Sequence, residues 1–139
     1  MKRDPRLRGL SSDHHQALVL ARRVGHRAEA GTLDMDLARD VAERFRDELE
    51  PHFGVEEEVL LPALRDLGEN ELPDRTLDDH AFLRQRVRAA EDGDAEALAD
   101  FAERLHDHVR FEERTLFPAC EARLPDAVLE EAARRAPKE

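Results

Sequence analysis

His52 stands four residues before Glu56, and His108 stands four residues before Glu112. On a helix, residues four apart share a face one turn apart, so imidazole and carboxylate can reach a common point. A single His-x-x-x-Glu is usually a surface ion pair. Here the two copies sit in register inside a longer repeat. His52-Phe53-Gly54-Val55-Glu56-Glu57-Glu58-Val59-Leu60-Leu61-Pro62-Ala63 aligns without gaps to His108-Val109-Arg110-Phe111-Glu112-Glu113-Arg114-Thr115-Leu116-Phe117-Pro118-Ala119. A fainter echo sets Asp13-His14 against Asp79-His80.

Both pairs continue apolar stripes: Phe45, Leu49, Val59 and Leu60 around the first, and Phe101, Leu105 and Leu116 around the second. The pairs are therefore expected to point inward. Burying carboxylates and imidazoles in a small core is costly unless they are compensated. Reciprocal hydrogen bonds, buried water or a metal could compensate them. With one inward histidine on each remaining helix, His14, His52, His80, His108, Glu56 and Glu112 make a closed set of N and O donors for two cations. The two carboxylates would bridge the cations, and the imidazoles would finish each coordination sphere. Such donors without thiolate favour iron, manganese or zinc. A carboxylate-bridged pair with spare positions suits iron, which can take up oxygen, peroxide or nitric oxide there. The spacing itself does not choose the metal.

The other candidates read more plainly. His15 lies on the more exposed stripe of its helix, so His14 is favoured as the ligand, with His15 as the alternative. His26 falls off the inward stripe, and His106 faces nearly away from His108. Glu103-x-x-His106 resembles a di-metal motif but lacks a second copy. Glu57 and Glu113 point about 100° from their neighbours and read as solvated or hairpin-facing, with support of a ligand histidine as the other role. Cys120 reads as a small buried apolar residue.

Helices must position these groups. Ala, Leu, Arg and Glu dominate, and no alternating β-branched run occurs, so no strands are expected. The first helix is expected from Ser11 or Ser12, as N-caps, to Ala30, with Gly31 as its stop. The second runs from Thr32 or Asp34 to Leu67, kinked or broken at Pro51 and Pro62. Pro73 sits in the first turn of a third helix that ends near Glu91. Asp94 caps a fourth, which runs to about Arg123. Pro125 opens a short fifth helix, and the tail from Arg135 is expected to fray. Short loops imply an up-down-up-down antiparallel four-helix bundle with a short C-terminal fifth helix, all-α. One domain is expected over residues 10–135, behind a flexible tail at 1–9.

Composition narrows the partners. The net charge of −11 disfavours nucleic acid and anionic membranes. No apolar run approaches the roughly 18 residues of a membrane span. The basic start, Met1-Lys2-Arg3, has no apolar stretch behind it, so a secretory signal is not expected. One cysteine excludes an internal disulfide framework and a cysteine-built metal site. A reducing cytoplasm is the expected setting.

Taken together, Asp13-His14-His15-x-x-Leu18, His52-Phe53-x-x-Glu56-Glu57-x-x-Leu60-x-Pro62, His80 and His108-x-x-x-Glu112-Glu113-x-x-Leu116-Phe117-Pro118 resemble the hemerythrin-like, or HHE cation-binding, domains. The resemblance covers about residues 10 to 120. It implies a four-helix bundle holding two Fe ions without haem, with Zn or Mn as substitutes. His14, His52, His80 and His108 would be terminal ligands, and Glu56 and Glu112 would be the bridging carboxylates. The oxygen carriers of that family have a further histidine one turn from the one matched by His80. Here Thr76 and Arg84 hold those places, so one iron is expected to be more open unless His15 fills in. That weakens reversible oxygen carriage. It favours binding of O2, NO or H2O2 for sensing, redox defence or iron handling. Peroxide decomposition at the same centre and a structural metal module are the alternatives.

Overall fold

A computed structural model describes residues 2–136, and among these every regular element is helical. A 3₁₀ turn at Pro5–Leu7 leads into α1 (Arg8–Glu29). One long helical stretch follows, made of α2 (Met35–Arg44), α3 (Glu50–Val55) and α4 (Leu61–Asp66). Next come α5 (Glu71–Glu91), α6 (Ala97–Phe111), α7 (Phe117–Arg123) and the short α8 (Asp126–Arg135). The helices pack as a bundle in which α1 and α5 both lie against α6, and α2 lies against α5.

Local chemistry explains most boundaries. Asp34 accepts the Leu37 N–H at 2.9 Å and starts α2. Gly31 and Gly68 adopt φ of 70° and 86°, left-handed values suited to glycine at the ends of α1 and α4. Pro73 lies in the first turn of α5. Asp94 starts the turn before α6 through its carbonyl, which accepts the Ala97 N–H, rather than through its side chain.

The start of α1 differs from the sequence expectation. Asp4 accepts the Arg6 N–H and nucleates the turn that carries the helix back to Arg8. Ser11 and Ser12 lie inside α1. Ser11 Oγ donates to Glu113 at 2.6 Å, and Ser12 Oγ donates to the Gly9 carbonyl at 3.0 Å. The stretch ahead of Leu10, expected to be a flexible tail, is packed from Arg3 onward: Leu7 is fully buried, and Arg3 and Arg6 form ion pairs with Glu121 and Asp126. Met1 lies outside the described residues, as do 137–139 of the tail expected to fray, while α8 reaches Arg135 and Ala136 is buried.

Pro51, Pro62 and Pro118 do not break their helices. Each follows a widened π turn: Phe45–Leu49, Glu56–Leu60 and Glu112–Leu116. In each, the residue before the proline donates its N–H five residues back: Glu50 to Phe45, Leu61 to Glu56 and Phe117 to Glu112. The wider turn absorbs the missing proline donor and the ring's demand for room without losing the helix axis. Two of the three turns open on Glu56 and Glu112.

The core comes in two apolar clusters. One gathers around Phe45, Phe53, Leu83 and Phe101, the other around Leu60, Leu64, Leu116 and Phe117. Along each main helical stretch the buried histidines and glutamates fall where one cluster gives way to the other. Leu10 and Ala17, in different clusters, flank His14; Phe53 and Leu60, also in different clusters, flank Glu56. A polar layer thus lies between two dry ones.

Candidate metal centre

That layer holds His14, His52, Glu56, His80, His108 and Glu112, all buried. The α1 and α5 registers supply His14 and His80. The repeat supplies His52 with Glu56 and His108 with Glu112, each pair one helical turn apart.

The histidine rings form two couples, His14 with His52 at 5.1 Å between centroids and His80 with His108 at 5.0 Å. Each carboxylate spans both couples. Glu56 Oε1 lies 3.0 Å from His80 Nε2, and its Oε2 lies 3.0 Å from His52 Nε2. Glu112 Oε2 lies 3.1 Å from His108 Nε2, and its Oε1 lies 2.8 Å from His14 Nε2 and 3.2 Å from His52 Nε2. Two imidazoles and one oxygen from each carboxylate therefore face each half. The imidazoles divide two to each half, and no further histidine stands where Thr76 and Arg84 do. His15 is exposed and takes no part. Thr76 is buried but gives its hydroxyl hydrogen to the Leu72 carbonyl at 2.8 Å.

Glu112 Oε1 is in hydrogen-bond geometry with His14 and His52, but most of the other close approaches are not hydrogen bonds. Both oxygens of Glu56, Oε2 of Glu112, and Nε2 of His80 and His108 are buried without a hydrogen-bond partner. Five orphaned donor atoms in one small volume would be expensive in an ordinary core. A cation accepts lone pairs without needing a proton between each pair of atoms, so the donor set fits one. Two groups have metal-binding geometry: Glu56, His80, His108 and Glu112, and His14, His52 and Glu112.

Around the donors stands a ring of carboxylates. Each histidine places Nδ1 against one of them: His14 on Glu113 at 2.6 Å, His52 on Asp13 at 3.0 Å, His80 on Glu57 at 2.6 Å and His108 on Asp79 at 2.9 Å. The pattern explains the fainter repeat. Each Asp-His pair sends its histidine inward, and its aspartate holds a histidine of another helix. Each Glu-Glu pair sends the first glutamate inward, and the second holds the histidine of an Asp-His pair. Asp13 and Asp79 had no assigned role from sequence. The doubled Asp-His was the signal that carried them. Glu57 and Glu113 take the histidine-supporting role rather than the solvated one.

Electrostatics follow from this crowding. Burial would lower each imidazole, but the carboxylates outweigh it and all four rise above the ordinary histidine range. His108, beside Glu112 and Asp79, rises to about 10. The hydrogen bond from His80, with Arg84 nearby, holds Glu57 down at about 2. Glu113 is pushed up by burial, but His14 and Ser11 bring it to about 2. Glu112 is also held well below its usual range, because the charge of His108 outweighs its burial.

The remaining candidates lie elsewhere. His26, His106 and Glu103 are exposed, and His106 Nδ1 lies 3.5 Å from Asp107. Cys120 is fully buried. No helix among the described residues is long and apolar enough to cross a membrane.

Residues 7–120 match the family model of the hemerythrin HHE cation binding domain. Neither a comparison with curated proteins nor one with solved structures returned a match.

Proposed function

The chain belongs to the hemerythrin HHE cation-binding family, and from that membership and the donor geometry we propose that it is a non-haem di-iron protein. It binds a small diatomic or peroxide ligand (O2, NO or H2O2) for sensing, redox defence or iron handling. His14, His52, His80 and His108 are the terminal ligands, and Glu56 and Glu112 are the bridges. Zn or Mn can substitute. The architecture is an up-down-up-down antiparallel four-helix bundle, with α8 as a short fifth helix. The domain spans 10–135, and Pro5–Leu7 packs onto it. The setting is cytoplasmic, and neither nucleic acid nor membrane is a partner.

One observation carries this reading: the two orphaned oxygens of Glu56 face one imidazole couple each. A single cation would leave one couple without an oxygen-bridged partner. When bound, a di-iron pair supplies reversible redox change and coordination positions the protein does not fill. The chain's residues do the rest. Glu56 and Glu112 hold the halves at a fixed spacing. The Nδ1 partners keep each Nε2 directed inward. Two protein imidazoles per half leave coordination positions open for a small ligand, more so at the half of His14 and His52, whose donor group holds three residues against four.

Metal analysis of protein purified without chelators, paired with its visible spectrum, tests the proposal. About two Fe per chain are expected, with a near-ultraviolet band that changes on adding oxygen, azide, peroxide or nitric oxide. Iron-loaded protein whose spectrum ignores all four would overturn the ligand-binding role. Stoichiometric zinc alone would favour a structural metal.

A further inference from the structure

Two arginines reach the outside of the histidine ring from unrelated parts of the chain, yet they share two contacts: each meets a glutamate that holds a histidine, and each lies over an aromatic ring. Arg84, on α5, donates Nη1 to Glu57 Oε2 at 2.9 Å and Nη2 to Glu57 Oε1 at 3.2 Å. Its guanidinium lies 5.6 Å from the Phe53 ring, and that ring stacks on His80 at 3.8 Å and 13°. Arg3, ahead of α1, donates Nη2 to Glu113 Oε1 at 3.2 Å and to the Glu113 carbonyl at 2.8 Å. Its guanidinium lies 5.6 Å from the Phe117 ring, which stands nearly parallel to His14 at 5.4 Å and 10°.

The internal repeat cannot explain this match. Under the echo of Asp13-His14 with Asp79-His80, Arg84 aligns with Leu18 and Arg3 aligns with Glu69. Phe53 and Phe117 also occupy different places in the longer repeat. The two halves thus arrive at one arrangement, guanidinium on carboxylate and on the ring that stacks the histidine, by separate routes. A duplicated fold would not produce that by inheritance. A shared requirement at each half would.

We propose that Arg3 and Arg84 are matched positioning residues, one for each half of the metal site, acting through Glu113 on His14 and through Glu57 on His80. The guanidinium holds its carboxylate in place, and the carboxylate fixes the imidazole with Nε2 inward. The two differ in what holds them. Arg84 rides on a long helix and also pairs with Glu50 at 2.8 Å. Arg3 sits on a strap of chain fixed by its own pair with Glu121, by the Asp4 N–H on the same glutamate, and by Arg6 on Asp126. The segment before α1 is therefore part of the His14 half.

This inference rests on the metal reading above, and the test separates the two. Metal-stripped full-length protein is titrated with Co(II), and the shifted, exchangeable imidazole N–H resonances of the loaded protein are recorded. Wild type is expected to take up two Co(II) and show four such lines, with those of His14 and His80 assigned by their loss in His14→Ala and His80→Ala. Arg3→Ala should weaken one of the two binding steps by roughly 10- to 100-fold and speed solvent exchange of the His14 line alone. Arg84→Ala should do the same for His80. Arg3→Lys, which keeps the charge, should recover part of the loss, and the surface variant Arg65→Ala should match wild type. Arg3→Ala and Arg84→Ala proteins with wild-type affinities and exchange rates would overturn the proposal while leaving the metal centre standing. Wild-type protein that takes up no Co(II) would overturn both.

Discussion

His80 and Glu57 meet at 2.6 Å through Nδ1 of the imidazole and Oε2 of the carboxylate. The carboxylate, held at about 2, can only accept, so Nδ1 carries the proton. Nε2 then faces Glu56, and in a neutral ring its lone pair is free for a cation. The adjacent pair Glu56-Glu57 thus does two jobs one residue apart. One carboxylate points into the centre, and the next fixes a histidine that also points there.

Removing that support should loosen the metal without unfolding the chain. Glu57→Ala and Glu113→Ala are each expected to lower metal affinity by roughly 10- to 100-fold, as read by competition with a coloured chelator. His80→Ala, which deletes a donor, should cost more than Glu57→Ala. His15→Ala and His106→Ala should match wild type, because both side chains are exposed. Equal losses in Glu57→Ala and His106→Ala would contradict the assignment.

Glu56→Gln should weaken both states of the protein, the metal-bound one more. The two carboxylate oxygens lie 3.0 Å from His52 Nε2 and His80 Nε2, and the charge of Glu56 helps raise both imidazoles. Without metal the variant leaves those imidazoles short of a counter-charge, and breaking a buried pair is destabilising. With metal it also loses a bridge. Urea unfolding of both proteins with and without metal measures this, and a variant that matches wild type in both states would contradict the bridging assignment.

Chelation should lower the melting temperature. A cation that binds only the folded chain stabilises it by about 4 kcal/mol at a thousandfold excess over its dissociation constant. For a chain of this size that corresponds to roughly 10 °C, at about 2–4 °C per kcal/mol. Differential scanning calorimetry before and after metal stripping measures it. Glu112→Ala should show little shift on stripping, since Glu112 belongs to both donor groups.

The donors were legible in the sequence because helical spacing and an ungapped repeat both act over short distances. His52 and Glu56 needed only four residues and a known period. The supports were not, because they join distant helices: Asp13 reaches His52 across 39 residues, and Arg3 reaches Glu113 across 110. Pro51 and Pro62 read as kinks or breaks, because a π turn that absorbs a proline leaves no mark in residue type or spacing. Ser11 read as a cap because its type favours that role, but Asp4 had already started the helical stretch, leaving the hydroxyl free for Glu113.

Cys120 should be chemically silent in the folded protein. It is fully buried, and burial, with Glu56 and Glu112 nearby, pushes its thiol up to about 12. A raised thiol pKa keeps the unreactive protonated form across neutral pH. At pH 8 only about one in ten thousand would be thiolate, against roughly a quarter for a free cysteine of pKa about 8.5. Raising the pH from 7 to 9 should therefore increase the alkylation rate about a hundredfold from a very low base, with no plateau near pH 8.5. Denaturant should restore both the fast rate and the ordinary plateau. Iodoacetamide labelling followed by mass spectrometry over that range measures this, and a plateau near pH 8.5 under native conditions would show that the thiol reaches solvent.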